Sequence, residues 1–211
     1  MASSLFRHAL LFALLALPSA ASAAVIFSDD FSANTPSLNP SVPAGWQISN
    51  GGHVNILGEC NSVVEDDLLS GNNCYVDLDG NTEPTSPTAK NGLLTKSLLL
   101  PVGHIYTAYF SLAGNPYNPF PDTVTVTFGT ANNSYEIAPF VDFASYSITF
   151  TPPTTGTYNL SFINSNIDDH GAYLDNVIVD QVPAPLPLFG SVSAFGFSRR
   201  LRNRLRQSRR R

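Results

Sequence analysis

Thr123–Phe128 reads Thr-Val-Thr-Val-Thr-Phe, and its two-residue alternation decides the fold class. Successive side chains of an extended chain point to opposite faces. Val124, Val126 and Phe128 therefore line one face, and three threonines line the other. Working outward, Ile105–Leu112 (IYTAYFSL) puts Tyr106, Ala108, Phe110 and Leu112 on one side. Ser145–Phe150 (SYSITF) does the same with Tyr146, Ile148 and Phe150, and Thr157–Phe162 (TYNLSF) with Tyr158, Leu160 and Phe162. β-Branched and aromatic residues at this period predict strands with one buried face and one solvated face.

Shorter strands are expected at Val25–Phe31, Trp46–Ser49, His53–Leu57, Cys74–Leu78, Leu93–Leu100 and Tyr173–Val179. Turn residues separate them, as in Asn50-Gly51-Gly52, Asp79-Gly80-Asn81 and Pro101-Val102-Gly103. About ten short strands predict an all-β chain, a two-sheet antiparallel β-sandwich of the jelly-roll type. Only Val63–Leu69 (VVEDDLL) leaves room for a helical turn. Trp46, after Gly45, reads as a plug in the sandwich core. With 211 residues, 43% hydrophobic and 11% aromatic, the chain is long enough for one well-buried domain.

The charges divide the chain into three parts. All 16 acidic residues lie between Asp29 and Asp180, accompanied by only Lys90 and Lys96. Eight arginines crowd the last 13 residues, Arg199–Arg211. An acidic body without arginine argues against a nucleic-acid partner and suits divalent cations. At the front, Arg7 and His8 precede the apolar run Ala9–Leu17, then Pro18 and the small-residue site Ala21-Ser22-Ala23. This is the order of a cleavable secretory signal. The expected organisation is a signal at residues 1–23, the sandwich at 24–181 and a tail at 182–211. Export sets an oxidising context in which Cys60 and Cys74, the only cysteines, pair. A thiol nucleophile or metal site is the rival reading, and no CxxC spacing favours it.

The tail runs from the Pro-rich hinge Pro183-Ala184-Pro185 through the apolar Leu186–Phe197 to Arg199 and Arg200. It resembles the PEP-CTERM sorting signals of bacteria, in the variant reading PLPL…AFGFSRRLR. Ala184 stands where the family's triplet has Glu. The resemblance implies processing by an exosortase-type membrane protease and delivery to the cell surface or beyond. The apolar stretch would span ~18 Å as a helix against a ~30 Å hydrocarbon core, which fits transient membrane engagement better than a stable span.

The body carries a second resemblance. Asp29-Asp30-Phe31, Gly45-Trp46, Tyr75–Gly80, Pro101–Asn115 and Tyr173–Val179 are similar to the signature stretches of galactose-binding-like and carbohydrate-binding-module jelly rolls. The resemblance implies first and last strands side by side. It further implies a structural Ca²⁺ shared by a first-strand carboxylate and the Asp of the closing LDNV, here Asp30 and Asp175, with Asp29 and Asn176 as second candidates. The competing reading is that Asp175 bonds only to backbone amides.

Three further stretches carry candidate chemistry. Asp77–Glu83 places oxygens at alternate positions, but Thr82 stands where an EF-hand needs Gly, so a solvated strand face is expected. The loop Gly114–Phe120 offers Tyr117 and Phe120 with Asn115 and Asn118 as a sugar-binding set, rings for C–H faces and amides for hydroxyls. His170, between Asp169 and Gly171, reads as a solvated turn. No GxSxG, HExxH or phosphate-binding loop occurs. The expectation is an exported, surface-sorted, non-enzymatic module that binds or is retained in extracellular polysaccharide. Its alternatives are a glycan-active hydrolase on the same scaffold and a structural surface protein without a ligand.

Overall fold

The computed structural model describes residues 23–38, 42–60, 63–65, 69, 72–80, 90–117, 119–166 and 170–183. Each alternating run forms a strand. In chain order the strands are β1 Ala24–Asp29, β2 Gln47–Ile48, β3 Asn55–Cys60, β4 Val63–Glu65, β5 Cys74–Asp77, β6 Leu94–Leu100, β7 His104–Ala113, β8 Asp122–Phe128, β9 Ala131–Ile137, β10 Ala144–Phe150, β11 Gly156–Asn164 and β12 Tyr173–Pro183. One sheet has the order β10-β7-β12-β5-β3-β4, with β1 also paired to β12; the other is β2-β6-β11-β8-β9. All strand pairings are antiparallel. The first and last strands lie side by side, from Ala24↔Gln181 to Asp29↔Val177, as the body's resemblance implies.

The core lies where the alternation puts it. Val124, Val126 and Phe128 of β8 are buried while the intervening threonines are half-exposed. With Leu160 and Phe162 of the adjacent β11 they pack in one cluster against Phe110 and Leu112 of β7 and Leu174, Val177 and Val179 of β12. Phe110 and Phe162 meet edge to face at 5.1 Å across the two sheets. Each such buried side chain stabilises the fold by roughly 1.5–3 kcal/mol. Trp46 is buried against Phe27, Phe31 and Phe162, and its Nε1 donates to Asp29 Oδ2 at 2.8 Å.

The structure corrects the sequence reading at two places. Val63–Glu65, expected to have room for a helical turn, is a strand, because its backbone completes the edge of β3 from Gly58↔Glu65 to Cys60↔Val63. Ala131–Ile137 (ANNSYEI) is a full strand that the alternation test passes over. It is the return arm of a hairpin with β8, in register from Phe128↔Ala131 to Asp122↔Ile137, and it turns at Gly129 with a positive φ. Its outward Asn and Ser residues hide the period. Cys60 and Cys74 form a disulfide with Cα atoms 5.4 Å apart, tying β3 to β5. β12 continues through Val182 to Pro183, opposite His104. The signal, Asn118, Pro185, Arg199 and Arg200 lie outside the described residues.

Candidate ligand-binding site

The crossings β5–β6, β7–β8, β9–β10 and β11–β12 lie at one end of the sandwich, where Tyr173 at the start of β12 pairs with Asp77 and Ala113. Two of these loops are bonded together. Gly114 N donates to Val141 O at 2.9 Å, and Phe140 N to Asn115 O at 3.2 Å. A Cβ on Gly114 would collide with the Ala138 carbonyl, so this close approach requires glycine. The paired loops carry three exposed rings: Tyr117 is 59% exposed, Phe120 68% and Phe140 64%. Phe140 holds its ring outward from a backbone with φ of 59°, a conformation disfavoured for a bulky residue. The Tyr117 ring rests on His170 of the β11–β12 loop, with centroids 4.6 Å apart. Such rings present apolar faces to a ligand at low conformational cost.

Asn115, expected in the contact set, lies beneath the loop surface. It is fully buried: its Oδ1 accepts from Tyr117 N at 2.7 Å, and its Nδ2 donates to His170 O. It thereby joins the Tyr117 and His170 loops. Asp77 and Asp79 are a correction, being completely buried where a solvated face was expected. The reason is the β11–β12 loop laid across them. Gly171 N donates to Asp77 Oδ1 at 3.1 Å, and a Cβ on Gly171 would clash with Asp79 and Asn164. Asn164 Nδ2 donates to Asp122 Oδ1 at 3.0 Å, and Asn166 Nδ2 to Pro121 O at 2.8 Å. Buried amides and carboxylates thus form a bonded layer beneath the aromatic loops. Within it, burial pushes the Tyr173 hydroxyl well above the usual phenol range, with Asp77 adding to the shift.

Of the residues proposed for calcium, Asp175 and Asn176 lie partway along β12, while Asp29 ends β1 opposite Val177 and Asp30 follows it. The pairing of β12 with β7 shifts register between Asp175 and Ile178, and Asn176 has φ of 51°. This bulge lets Leu174 and Val177 both face the core and turns Asp175 toward the end of β1. Burial raises the Asp175 carboxyl to about 6; the Asn176 amide opposes the shift, and the charges of Asp30 and Asp29 add to it. Asp175 accepts from Asn176 N at 2.6 Å and Asn176 Nδ2 at 2.9 Å, so Asn176 acts as a donor here. Asp30 is held below the usual carboxylate range by the Ser32 hydroxyl and amide. The donor chemistry fits a hard cation. However, among the described residues no three Asp, Glu, His or Cys side chains gather closely enough to hold an ion.

At the same loop end, on the outer side of the second sheet, a cleft of about 340 Å³ is lined by Asn50, Lys90, Asn91, Ile163, Asn164 and Ser165.

This architecture recurs among solved structures. The CBM22-1 xylan-binding domain of Paenibacillus barcinonensis Xyn10C superposes with a TM-score of 0.52 over 78% of this chain and 98% of that domain, at 13% identity. The fold is shared with that xylan-binding domain. The CBM22-1–CBM22-2 tandem of the same protein gives 0.51 at 14% identity, and its match covers 81% of this chain and 48% of the tandem. No family model and no curated protein matches the sequence.

Of the expected contacts, Tyr117 and Phe120 are both exposed on the β7–β8 loop. The sequence reading missed Phe140, the His170 ring and the Lys90 cleft. Phe140 follows Pro139 in a turn, and no local pattern marks which turn aromatic will stand out.

Proposed function

We propose that the chain is a non-catalytic glycan-binding module that grips a sugar chain with the aromatic loops of Tyr117, Phe120 and Phe140. The observation that carries this reading is the exposure of three rings on two mutually bonded loops above a buried polar layer. Apolar rings of that size are normally buried, and a rigid exposed group of them marks a binding surface. The sandwich shared with a xylan-binding domain supports the reading.

The remaining parts of the reading rest on the sequence. The front segment supports export, and the PEP-CTERM-like tail supports exosortase processing with brief membrane contact. Together they suit retention in an extracellular polysaccharide matrix at the cell surface. Calcium at Asp30 and Asp175, with Asp29 and Asn176 nearby, is supported by the mutual repulsion of the carboxylates, which a cation would relieve. Its shell would need further oxygen donors.

Affinity electrophoresis through gels containing xylan, galactan or β-glucan tests the function. The wild type should be retarded by at least one, and Tyr117→Ala and Phe140→Ala should each weaken retention about tenfold, from the loss of a stacking ring. Retention unchanged in both variants, or none in the wild type, would reject the aromatic site. Release of reducing sugar by the wild type would point to the hydrolase alternative.

A further inference from the structure

We infer that the cleft beside Lys90 is a second sugar subsite, one that takes the carboxylate of a single terminal uronic acid. This rests on the glycan-binding reading above but on different residues.

The acidic body has two cations, and they are used differently. Lys96 is committed: its Nζ donates to Gly45 O at 2.8 Å and sits 4.6 Å from the Phe27 ring centroid. Lys90 is exposed at the lip of the cleft, and its side chain makes no hydrogen bond or ion pair among the described residues. Its backbone is fixed all the same. Lys90 O accepts from His53 N at 3.2 Å, and the neighbouring Asn91 bridges to His53. Asn50 locks the same turn: its Nδ2 donates to Asn91 O at 2.7 Å, and its Oδ1 accepts from Leu93 N at 2.9 Å. An exposed charge on a backbone held by these bonds thus lines the cleft.

The rest of the lining suits a sugar. Ile163 gives a half-buried aliphatic floor, and Ser165 brings a hydroxyl. Asn91 is 4% exposed, and its Nδ2 is spent on Asn164 O at 2.9 Å. Its Oδ1 has no hydrogen-bond partner, a buried acceptor in the wall of the cleft that a ligand hydroxyl can satisfy. The surrounding charge sets the size of the anion. With 16 acidic residues against two lysines, the body repels a polyanionic chain at long range. A single carboxylate in direct contact with Lys90 has that pairing to offset the repulsion, which includes Asp122 bonded to Asn164 behind the cleft wall. The occupant is therefore a glycan end bearing one uronate.

Calorimetry on the full chain, using methyl glucuronoside and methyl glucoside, tests the inference. The glucuronoside should bind at least tenfold more tightly, with the preference shrinking in high salt. Lys90→Ala should erase the preference and keep the melting temperature, while Tyr117→Ala should keep the preference. Equal affinity for the two sugars, or a preference that survives Lys90→Ala, overturns the subsite. Loss of polymer retention in Tyr117→Ala without any uronate preference would sink the subsite alone. A Lys90-dependent preference without polymer retention would uphold the subsite and reject the aromatic site.

Discussion

Two residues are placed at a cost that only function or a ligand would offset. Asp175 is 4% exposed, and its carboxyl is raised to about 6. Because an unfolded Asp titrates near 4, the folded state takes up the proton first as pH falls between these values. Stability in EDTA should therefore rise from pH 7 to pH 5, by up to about 2 kcal/mol, and be lost again as pH climbs through 6. Urea melts at the two pH values measure this, and Asp175→Asn should flatten the profile. Calcium added at pH 7 should raise the melting point; no response in the wild type would remove calcium from the account. Phe140 is the second such residue. Its left-handed backbone costs roughly 1 kcal/mol, which glycine would relieve. Phe140→Gly should thus be at least as stable as the wild type by thermal melting, yet bind polysaccharide more weakly. A stable variant with intact binding would mean that the ring serves neither fold nor ligand.

At the scale of elements, the site depends on loops stapled to one another. Gly114 allows the β7–β8 loop to press against the carbonyl of Ala138. Gly114→Ala should force these loops apart and cost about 2 kcal/mol or more, read by chemical denaturation. It should lower glycan affinity with it, since Tyr117 and Phe140 would lose their relative placement. β12 shows how a bulge works against simple alternation. Period two from Tyr173 would put Asp175 and Val177 on one face, but the extra residue at the bulge lets Leu174 and Val177 both enter the core. β9 is the converse case, a strand specified by its hairpin partner while its own residues are mostly polar.

For the whole molecule, the disulfide and the two sheets act together. Cys60–Cys74 closes a loop with a sequence separation of 14 that holds β3 against β5 beside the cluster of Leu57, Tyr75, Ala113 and Tyr173. Reduction should lower stability by ~3 kcal/mol in the chain-entropy view, measured as a drop in melting temperature with a reducing agent. The sandwich itself was legible in runs such as TVTVTF, because solvent on one side and core on the other imprint a period of two on any half-buried strand. The pairing of the cysteines was legible from the expected oxidising context, and the neighbouring first and last strands came from the body's resemblance to carbohydrate-binding-module jelly rolls. The binding end was only half legible. Tyr117 and Phe120 stand out in a Pro-rich loop, but Asn115 looks the same in sequence whether it meets a sugar or bonds to His170. Burial of Asp77 and Asp79 depends on a segment more than 90 positions away, laid over them by the β11–β12 crossing. The sequence by itself determined which residues turn inward in the alternating strands β7, β8, β10 and β11. Only the tertiary structure decided which loops meet, since contacts between distant segments leave no local period to read.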